Sequence, residues 1–467
     1  MAIFLDQLKV KIQPQLPIYK KMTDIRIYNS LTNKIEDFHP LKEGEVSMYV
    51  CGPTVYNYPH IGNMRPVVVF DTFRRFLTYV GYKVTYVSNF TDVDDKIIKE
   101  AKKQNKTEKE LTEFYINEFK KTTLAIGSQI PTITPKVTEY INQIIDYVDN
   151  LVKIGAAYVV DGDVYFRVSK IKDYGALSGI NVDDLLVGAR IEENSAKESP
   201  LDFALWKKTS EGINWSSPWG NGRPGWHTEC CVMIDKIFPK HYIDIHGGGY
   251  DLKFPHHENE IAQSEATHGN KIAKYWMHNA FINFGNEKMS KSLGNVVYAK
   301  DLISEVGGPV ARLVILSAHY RQPVNFTEET VTAASSEVNK MKMINKLLAL
   351  KLQTSGVDLS KGKPTYVNKF IAALADDLNT ANALSELYEV IKLANAEIRS
   401  REPNLENLNI LFKSLNDMFF VLGLDIGYVK MSAEDKNLYQ KYLISKENKD
   451  FELSDQLRKS LIEKGIM

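Results

Sequence analysis

The sequence predicts an α/β fold: a Rossmann-type doubly wound parallel sheet, interrupted by an inserted subdomain and followed by an all-helical C-terminal domain. Three observations carry this. Residues 46–88 run strand, glycine-bearing turn, helix, strand, the opening of a parallel doubly wound sheet. A second α/β set covers residues 226–284, after an excursion too long to be a structureless loop. Beyond about Gly307 the chain is nearly all helix-forming.

Val46 to Cys51 is a short apolar strand that ends on the turn Gly52-Pro53. From His60 the apolar positions Met64, Val67, Val68, Leu77 and Val80 recur at helical spacing, and Gly81 ends the helix. Lys83 to Ser88 is a second strand. Residues 93–155 are charged and helical, and Gly155 to Val168 reads as a strand pair turning at Asp161-Gly162-Asp163. Gly179 to Gly225 is irregular, with Trp206, Trp215 and Trp219 among Ser, Pro and Gly. Trp226 to Ile237 predicts a helix, Tyr242 to His246 a strand and Gly247 to Gly249 a turn. Glu258 to Ala266 then predicts a helix and Trp276 to Phe284 a strand, leading into the loop Gly285 to Asn295. Asp376 to Ile398 is the most regular later helix. The boundaries implied are a leader at 1–22, halves of the α/β domain at 23–125 and 226–306, an insertion at 126–225, a helical bundle at 307–430 and a small region at 431–467.

With 44% hydrophobic and 25% charged residues, the composition is that of an ordinary globular chain. No run of about 18 apolar residues exists to span a membrane, and the leader lacks a signal-peptide pattern, so a cytoplasmic chain without a membrane partner is expected. Lys plus Arg and Asp plus Glu both number 58. Zero net charge neither requires nor excludes nucleic acid, because a basic groove can be offset by acidic faces. Only Cys51, Cys230 and Cys231 are present, too few for a disulfide scaffold, which leaves the thiols available to a metal.

Two segments suit phosphate chemistry. His60-Ile61-Gly62-Asn63 sits where a turn hands over to a helix, whose unpaired N–H groups favour anions. Taken alone, a structural turn with an incidental histidine is the simpler reading. Lys288-Met289-Ser290-Lys291-Ser292 places two lysines on a Gly- and Ser-rich loop, where cations can neutralise a departing pyrophosphate. Alone, it reads as a solvated basic loop. A third set consists of Cys51, Cys230, Cys231, His256, His257, Glu258 and Glu260. All are good zinc ligands by type, and His256 and Glu260 share a helix face, but no close Cys pair marks a knuckle. Buried free cysteines remain the alternative. Asp92, Asp94 and Asp95 suit helix capping and pairing better than magnesium.

Together the HIGH-like segment and the complete KMSKS segment, flanking a split nucleotide-binding fold, resemble the signature pair of class I aminoacyl-tRNA synthetases. Asn63 stands where that family usually has His, and its amide can still donate a hydrogen bond. Longer runs resemble the cysteinyl-tRNA synthetases: Cys51 to Tyr56, Asn89 to Lys96, Gly225 to Cys230 and Asp244 to Ser264, with Ser317 to Arg321 and Asp377 to Thr380. The resemblance covers nearly everything from Asp24 onward. It implies a zinc ion held by Cys51, Cys230, His256 and Glu260, with Cys231 and His257 pointing elsewhere, since adjacent helical residues differ by about 100°. It also implies Mg-ATP bound by Gly52, His60, Gly62, Asn63, Gly247 and Lys291. Catalysis would rest on His60, Asn63, Lys288 and Lys291, and the cysteine pocket on Thr91, Trp226 and His246.

The implied reaction activates cysteine with ATP and transfers it to tRNA(Cys), in a monomer whose bundle contacts the tRNA stem and whose last region reads the anticodon. A soft thiolate prefers zinc over a neutral hydroxyl, so cysteine is separated from serine at binding and no editing site is expected. Cysteine:glucosaminyl-inositol ligases of mycothiol synthesis share the catalytic domain, but the helical region after residue 325 argues against that alternative. A non-catalytic tRNA-binding paralogue is disfavoured by the intact Lys288 to Ser292. The synthetases usually continue past the position of Met467, so anticodon contacts are expected to be reduced or the end trimmed.

Overall fold

The computed structural model describes residues 9–10, 24–181, 197–284, 287–288 and 297–467. Four parallel strands form its central sheet, in the order Ala273–Asn279, Ile243–Gly249, Glu45–Val50, Lys83–Ser88. An extended segment joins the last of these: Ile133 N–H donates to Tyr86 O, and Ser88 N–H to Ile133 O. Numbered along the chain, the five segments lie in the order 3-2-1-4-5 of a doubly wound sheet. The order reverses between Glu45–Val50 and Ile243–Gly249. Ligands of such sheets bind at the C-terminal strand ends beside that reversal.

Both faces of the sheet are covered, so its two inner strands are mostly buried on both sides rather than on one. Ile243 to Gly248 are all buried. The helix Met64–Tyr79 covers one face with Val68, Phe70, Phe73, Phe76 and Leu77, all fully buried. Trp226–Ile237 and Glu258–His268 join the core on which the inserted subdomain packs. The glycines Gly247 to Gly249 belong to the strand rather than to a turn. Packing requires the first: a Cβ on Gly247 would lie 2.2 Å from Phe70 Cζ. Gly247→Ala is therefore expected to destabilise the chain by about 1–3 kcal/mol, the usual range for overpacking, read as a lower urea midpoint.

In the insertion, Ala157–Val160 and Asp163–Phe166 form the expected hairpin. Asp161 and Gly162 both have positive φ, 50° and 94°, as a two-residue primed turn needs. The region read as irregular supplies two further strands, Phe203–Lys208 and Gly222–Pro224, completing a four-stranded antiparallel sheet. Its core is the fully buried Trp206. Trp276–Phe284 also differs from expectation: it divides into Ala273–Asn279 in the central sheet and Ile282–Phe284, which pairs with Val324–Phe326 and Glu287–Lys288.

The helices Glu328–Thr354, Asn368–Ala375, Thr380–Ile398 and Leu405–Leu422 form a bundle, and Ala433–Glu447 pairs with Phe451–Glu463 beyond it. The regular helix starts at Thr380, not Asp376, because Asp377 and Leu378 have left-handed φ of 57° and 49° and Asn379 caps the helix. Asp377 is thereby turned into the catalytic half. Its carboxylate accepts from Tyr28 N–H, Tyr320 Oη and Arg321 Nε, while Thr380 Oγ1 donates to Leu316 O. The segments 317–321 and 377–380 are thus two halves of one joint. Of the leader, Lys9–Val10 pairs with Tyr428–Val429.

Candidate active site and metal-binding cluster

At the C-terminal ends of the strands opens a cleft of about 350 Å³, lined by Cys51, Gly52, His60, Gly62 and Asn63 and, opposite, by Gly249 and Asn279. Ile61–Asn63 is a 3-10 turn that feeds directly into Met64–Tyr79, so a helix N-terminus opens on the cleft. Asn63 Oδ1 accepts from His60 N–H at 3.0 Å, which leaves its amide NH2 as the donor end. Gly52 N–H donates to Asn89 Oδ1, and a Cβ on Gly52 would fall 1.6 Å from Asn89 O. Glycine is required there by the backbone alone. Gly247 turns to Phe70, and Gly249 is the strand glycine that lines the cleft.

The second signature segment begins beside the same rim, and the chain is described again from Val297. Lys288 pairs through its backbone with Asn283, next to the cleft residue Ile282. After the loop, Val297 O accepts from Ile61 N–H, and Ala299 N–H donates to Pro59 O. Lys291, with residues 289–296, lies outside the described residues, as does the side chain of Lys288.

Beside the cleft, the Cys51, Cys230, His256 and Glu260 ligand atoms all lie within 4.8 Å of one another. Cys51 follows a strand, Cys230 is in the middle of Trp226–Ile237, and Glu260 is in the first turn of Glu258–His268. Cys51 Sγ is 3.5 Å from Cys230 Sγ and 3.6 Å from Glu260 Oε1, and Cys230 Sγ is 3.8 Å from His256 Nε2. Cys231 faces away, its Sγ turned to the carbonyls of His227 and Glu260. His257 does not: its Nε2 is 3.3 Å from Cys51 Sγ, because the sulfur lies between the two imidazoles. A second donor group, Cys51, His246, His257 and Glu260, therefore overlaps the first.

The cluster is almost dry, and its charges are set by neighbours. The hydrogen bond from Cys51 brings the Cys230 thiol down to about 6 against burial, while burial and Cys230 push Cys51 well up. Burial raises Glu260, but His246 and His256 outweigh it and hold the carboxyl well below its ordinary value. His256 is lowered by burial and raised further by Glu260 and Cys230, to about 10. Burial keeps His227 at about 3 and His257 well below normal, so both are neutral.

Trp226 stacks on His256 with centroids 4.1 Å apart and is 39% exposed, forming a wall over the cluster. His246 is fully buried and reaches Glu260 Oε2 at 2.5 Å. Thr91 Oγ1 donates to Glu229 Oε2 at 2.7 Å. Glu229 was not singled out in the sequence, nor were Asn89 and His278. Burial pushes the Glu229 carboxyl well up, against the Thr91 bond. Its helix also carries His227, Asp235 and Lys236, so sequence alone gave no signal that set Glu229 apart. His278 bridges His257 Nδ1 and Ser30 Oγ at 2.8 and 2.9 Å, a chain formed by residues far apart in sequence. The three aspartates are structural: Asp92 accepts from Thr138, Asp94 caps Asp95–Gln104, and Asp95 pairs with Arg223.

A 3-2-1-4-5 parallel sheet with a cleft at its reversal, the HIGH-like segment lining it, the backbone of Lys288 beside it and a helical domain behind has the build of a class I aminoacyl-tRNA synthetase. Residues 37–336 match the family of tRNA synthetases class I (C) catalytic domain, and residues 369–426 match the DALR domain. The chain is 45% identical over 452 residues to the cysteine–tRNA ligase of Anoxybacillus flavithermus, covering 95% of this chain and 97% of that one. The same identity holds over 455 residues with the Geobacillus sp. enzyme, covering 96% and 97%. The chain belongs to the cysteine–tRNA ligase family and joins cysteine to its tRNA at the expense of ATP. Because these matches include the helical region, they favour tRNA over a sugar amine as acceptor. Solved structures show the same fold at low identity. A putative arginyl-tRNA synthetase from Campylobacter jejuni has TM-score 0.57 and 13% identity, over 83% of this chain and 94% of that one. Mycobacterium tuberculosis methionyl-tRNA synthetase with methionyl-adenylate also has TM-score 0.57 and 13% identity, over 81% and 88%. No described helix is long and apolar enough to cross a membrane.

Proposed function

We propose that Cys51, Cys230, His256 and Glu260 hold one zinc ion that selects cysteine, beside a cleft that binds Mg-ATP. The observation that carries this reading is the convergence of two thiols, an imidazole and a carboxylate from separate elements onto one dry point. Zinc lies about 2.3 Å from sulfur and about 2.0–2.1 Å from nitrogen or oxygen, so a tetrahedral site has donor–donor edges of about 3.3–3.8 Å. The sulfur contacts of 3.5, 3.6 and 3.8 Å fit those edges, and the His256–Glu260 separation of 2.9 Å is shorter. The overlapping group offers one thiol instead of two, and hydrogen bonds already tie its His246 and His257 to Glu260 and His278. It is the harder and less available set. Bound at the first set, zinc supplies a Lewis-acid position that favours a thiolate over a hydroxyl.

The remaining work falls to this chain's residues. Trp226, Thr91 and His246 wall the amino acid, and Glu229 fixes the Thr91 hydroxyl. His60 and Asn63 steady the ATP phosphates from the helix end while a cysteine carboxylate oxygen attacks the α-phosphorus in line. The bond to the β-phosphate breaks, and Lys288 and Lys291 neutralise the leaving pyrophosphate. The 2′-hydroxyl of the terminal tRNA adenosine then attacks the carbonyl carbon, and AMP leaves. Positioning and charge do the work, with no protein nucleophile. The bundle at 307–430 takes the tRNA stem and residues 431–467 the anticodon.

Metal analysis of Cys230→Ser beside Cys231→Ser tests the ligand set. Cys230→Ser should bind one zinc fewer per chain, with cysteine-dependent ATP–pyrophosphate exchange lower by on the order of 100-fold or more, since loss of even an outer-shell partner costs about 10–100-fold. Cys231→Ser should keep both. Equal metal content in the two variants would overturn the assignment.

A further inference from the structure

The helices that carry Cys230 and Glu260 end beside each other in a second cluster, which the reaction does not use. Asp235, near the end of Trp226–Ile237, meets His268, the last residue of Glu258–His268, and His241 from the following connection. Their ligand atoms lie within 4.8 Å of one another. His241 Nδ1 and His268 Nε2 converge on a single oxygen, Asp235 Oδ1, at 2.6 and 2.8 Å. That oxygen is closed to solvent, and His241 Nδ1 also lies 3.1 Å from the main-chain O of Asp235, a contact that a bound ion would replace. The two imidazoles stack in parallel, 4° apart with centroids at 4.5 Å. His241 holds this place through a left-handed backbone, φ 51°, a conformation that costs a non-glycine residue about 1–2 kcal/mol. Lys236 Nζ faces the other carboxylate oxygen at 3.2 Å.

We infer that Asp235, His241 and His268 form a second divalent transition-metal site, one per chain, whose remaining positions are taken by solvent. Two imidazoles and one carboxylate suit zinc, cobalt or nickel, whereas calcium and magnesium call for oxygen ligands. Nitrogen and oxygen donors about 2.0–2.1 Å from zinc are about 3.3 Å apart, so each ring must withdraw by about half an ångström. Both have room, with side chains 43% and 27% exposed. Asp235 lies about 7.5 Å along its helix from Cys230, and His268 about 12 Å along its helix from Glu260, at 1.5 Å per residue. An ion there staples the far ends of the helix pair and stabilises the folded chain through its affinity for that state. Nothing in this depends on what Cys51 and Cys230 bind.

The test uses the full chain without a histidine tag, dialysed against micromolar Zn2+ or Co2+, as wild type, His268→Gln, His241→Gln, Cys230→Ser and the Cys230→Ser/His268→Gln double variant. His268→Gln and His241→Gln should each hold one ion fewer than wild type. Their cobalt forms should keep any thiolate-to-metal absorption, and their cysteine-dependent exchange should stay within about twofold, as expected of surface substitutions. Zinc should raise the apparent Tm of Cys230→Ser and leave that of the Cys230→Ser/His268→Gln double variant unchanged. Equal metal content in wild type and His268→Gln overturns the site. Unchanged metal content in Cys230→Ser would instead count only against zinc at the cysteines.

Discussion

Glu260→Gln is expected to lower cysteine-dependent ATP–pyrophosphate exchange by about 10²–10³-fold, with loss of the metal held by the cysteines. The substitution keeps the volume and removes the charge. Glu260 is fully buried, with Oε2 2.5 Å from His246 Nε2 and Oε1 2.9 Å from His256 Nε2. It is the main influence holding His256 above its ordinary value against burial. A glutamine removes the negative charge that faces both rings and offers a metal a weaker ligand than a carboxylate. Loss of even an outer-shell partner of a bound metal costs about 10–100-fold, and a directly bonded carboxylate is expected to cost more. Glu260→Asp, which keeps the charge, should recover part of the activity. A glutamine variant that retained its metal and most of its exchange activity would remove Glu260 from the site.

Much of this was legible in the sequence wherever function is carried by short continuous segments. The strand Lys83–Ser88 and the helix Trp226–Ile237 were read with their observed ends, because each has one period and a clear stop. What failed shares a cause: local composition was outvoted by tertiary packing. Gly247 to Gly249 look like a turn, yet Phe70 needs the missing Cβ and the strand runs on. Phe203–Lys208 is hidden among Ser, Pro and Gly, and becomes a strand only because Asp163–Phe166 offers it an edge. His257 was placed outside the cluster on helical rotation alone, which does not know where Cys51 enters. Glu229 and the His257–His278–Ser30 chain depend on residues brought together from distant segments, for which sequence spacing gives no signal.

The same limit applies to Asp71, which sequence reading passed over and whose loss is expected to be among the most damaging to stability. Its carboxylate is buried, and Oδ1 accepts from Arg74 Nη2 and Gln129 N–H while Oδ2 accepts from Arg75 Nε and Arg312 Nη2. The guanidiniums continue outward. Arg75 donates to Phe420 O and Gly127 O, and Arg312 to Leu422 O and Ser128 Oγ. One carboxylate thus ties the cleft helix Met64–Tyr79 to the end of Leu405–Leu422, where cations also answer the helix dipole. Asp71→Asn leaves three buried arginines without a counter-ion and should cost about 3–5 kcal/mol, a large share of an ordinary total of about 5–15 kcal/mol. The apparent Tm should fall by roughly 10 °C, and tRNA charging should fall more than ATP–pyrophosphate exchange, since only charging spans both domains. The pH dependence has a defined sign. Burial raises the Asp71 carboxyl, but Arg75, Arg312 and Arg74 outweigh it and hold it far below the ordinary range. A carboxyl lowered on folding contributes fully above its unfolded value of about 3.9 and loses that contribution as pH falls toward the folded one. The stability gap between wild type and Asp71→Asn should therefore be flat from pH 8 to pH 5 and narrow only in stronger acid. A gap under about 1 kcal/mol at pH 7, or one that narrows near neutrality, would show that the arginines hold the joint without Asp71.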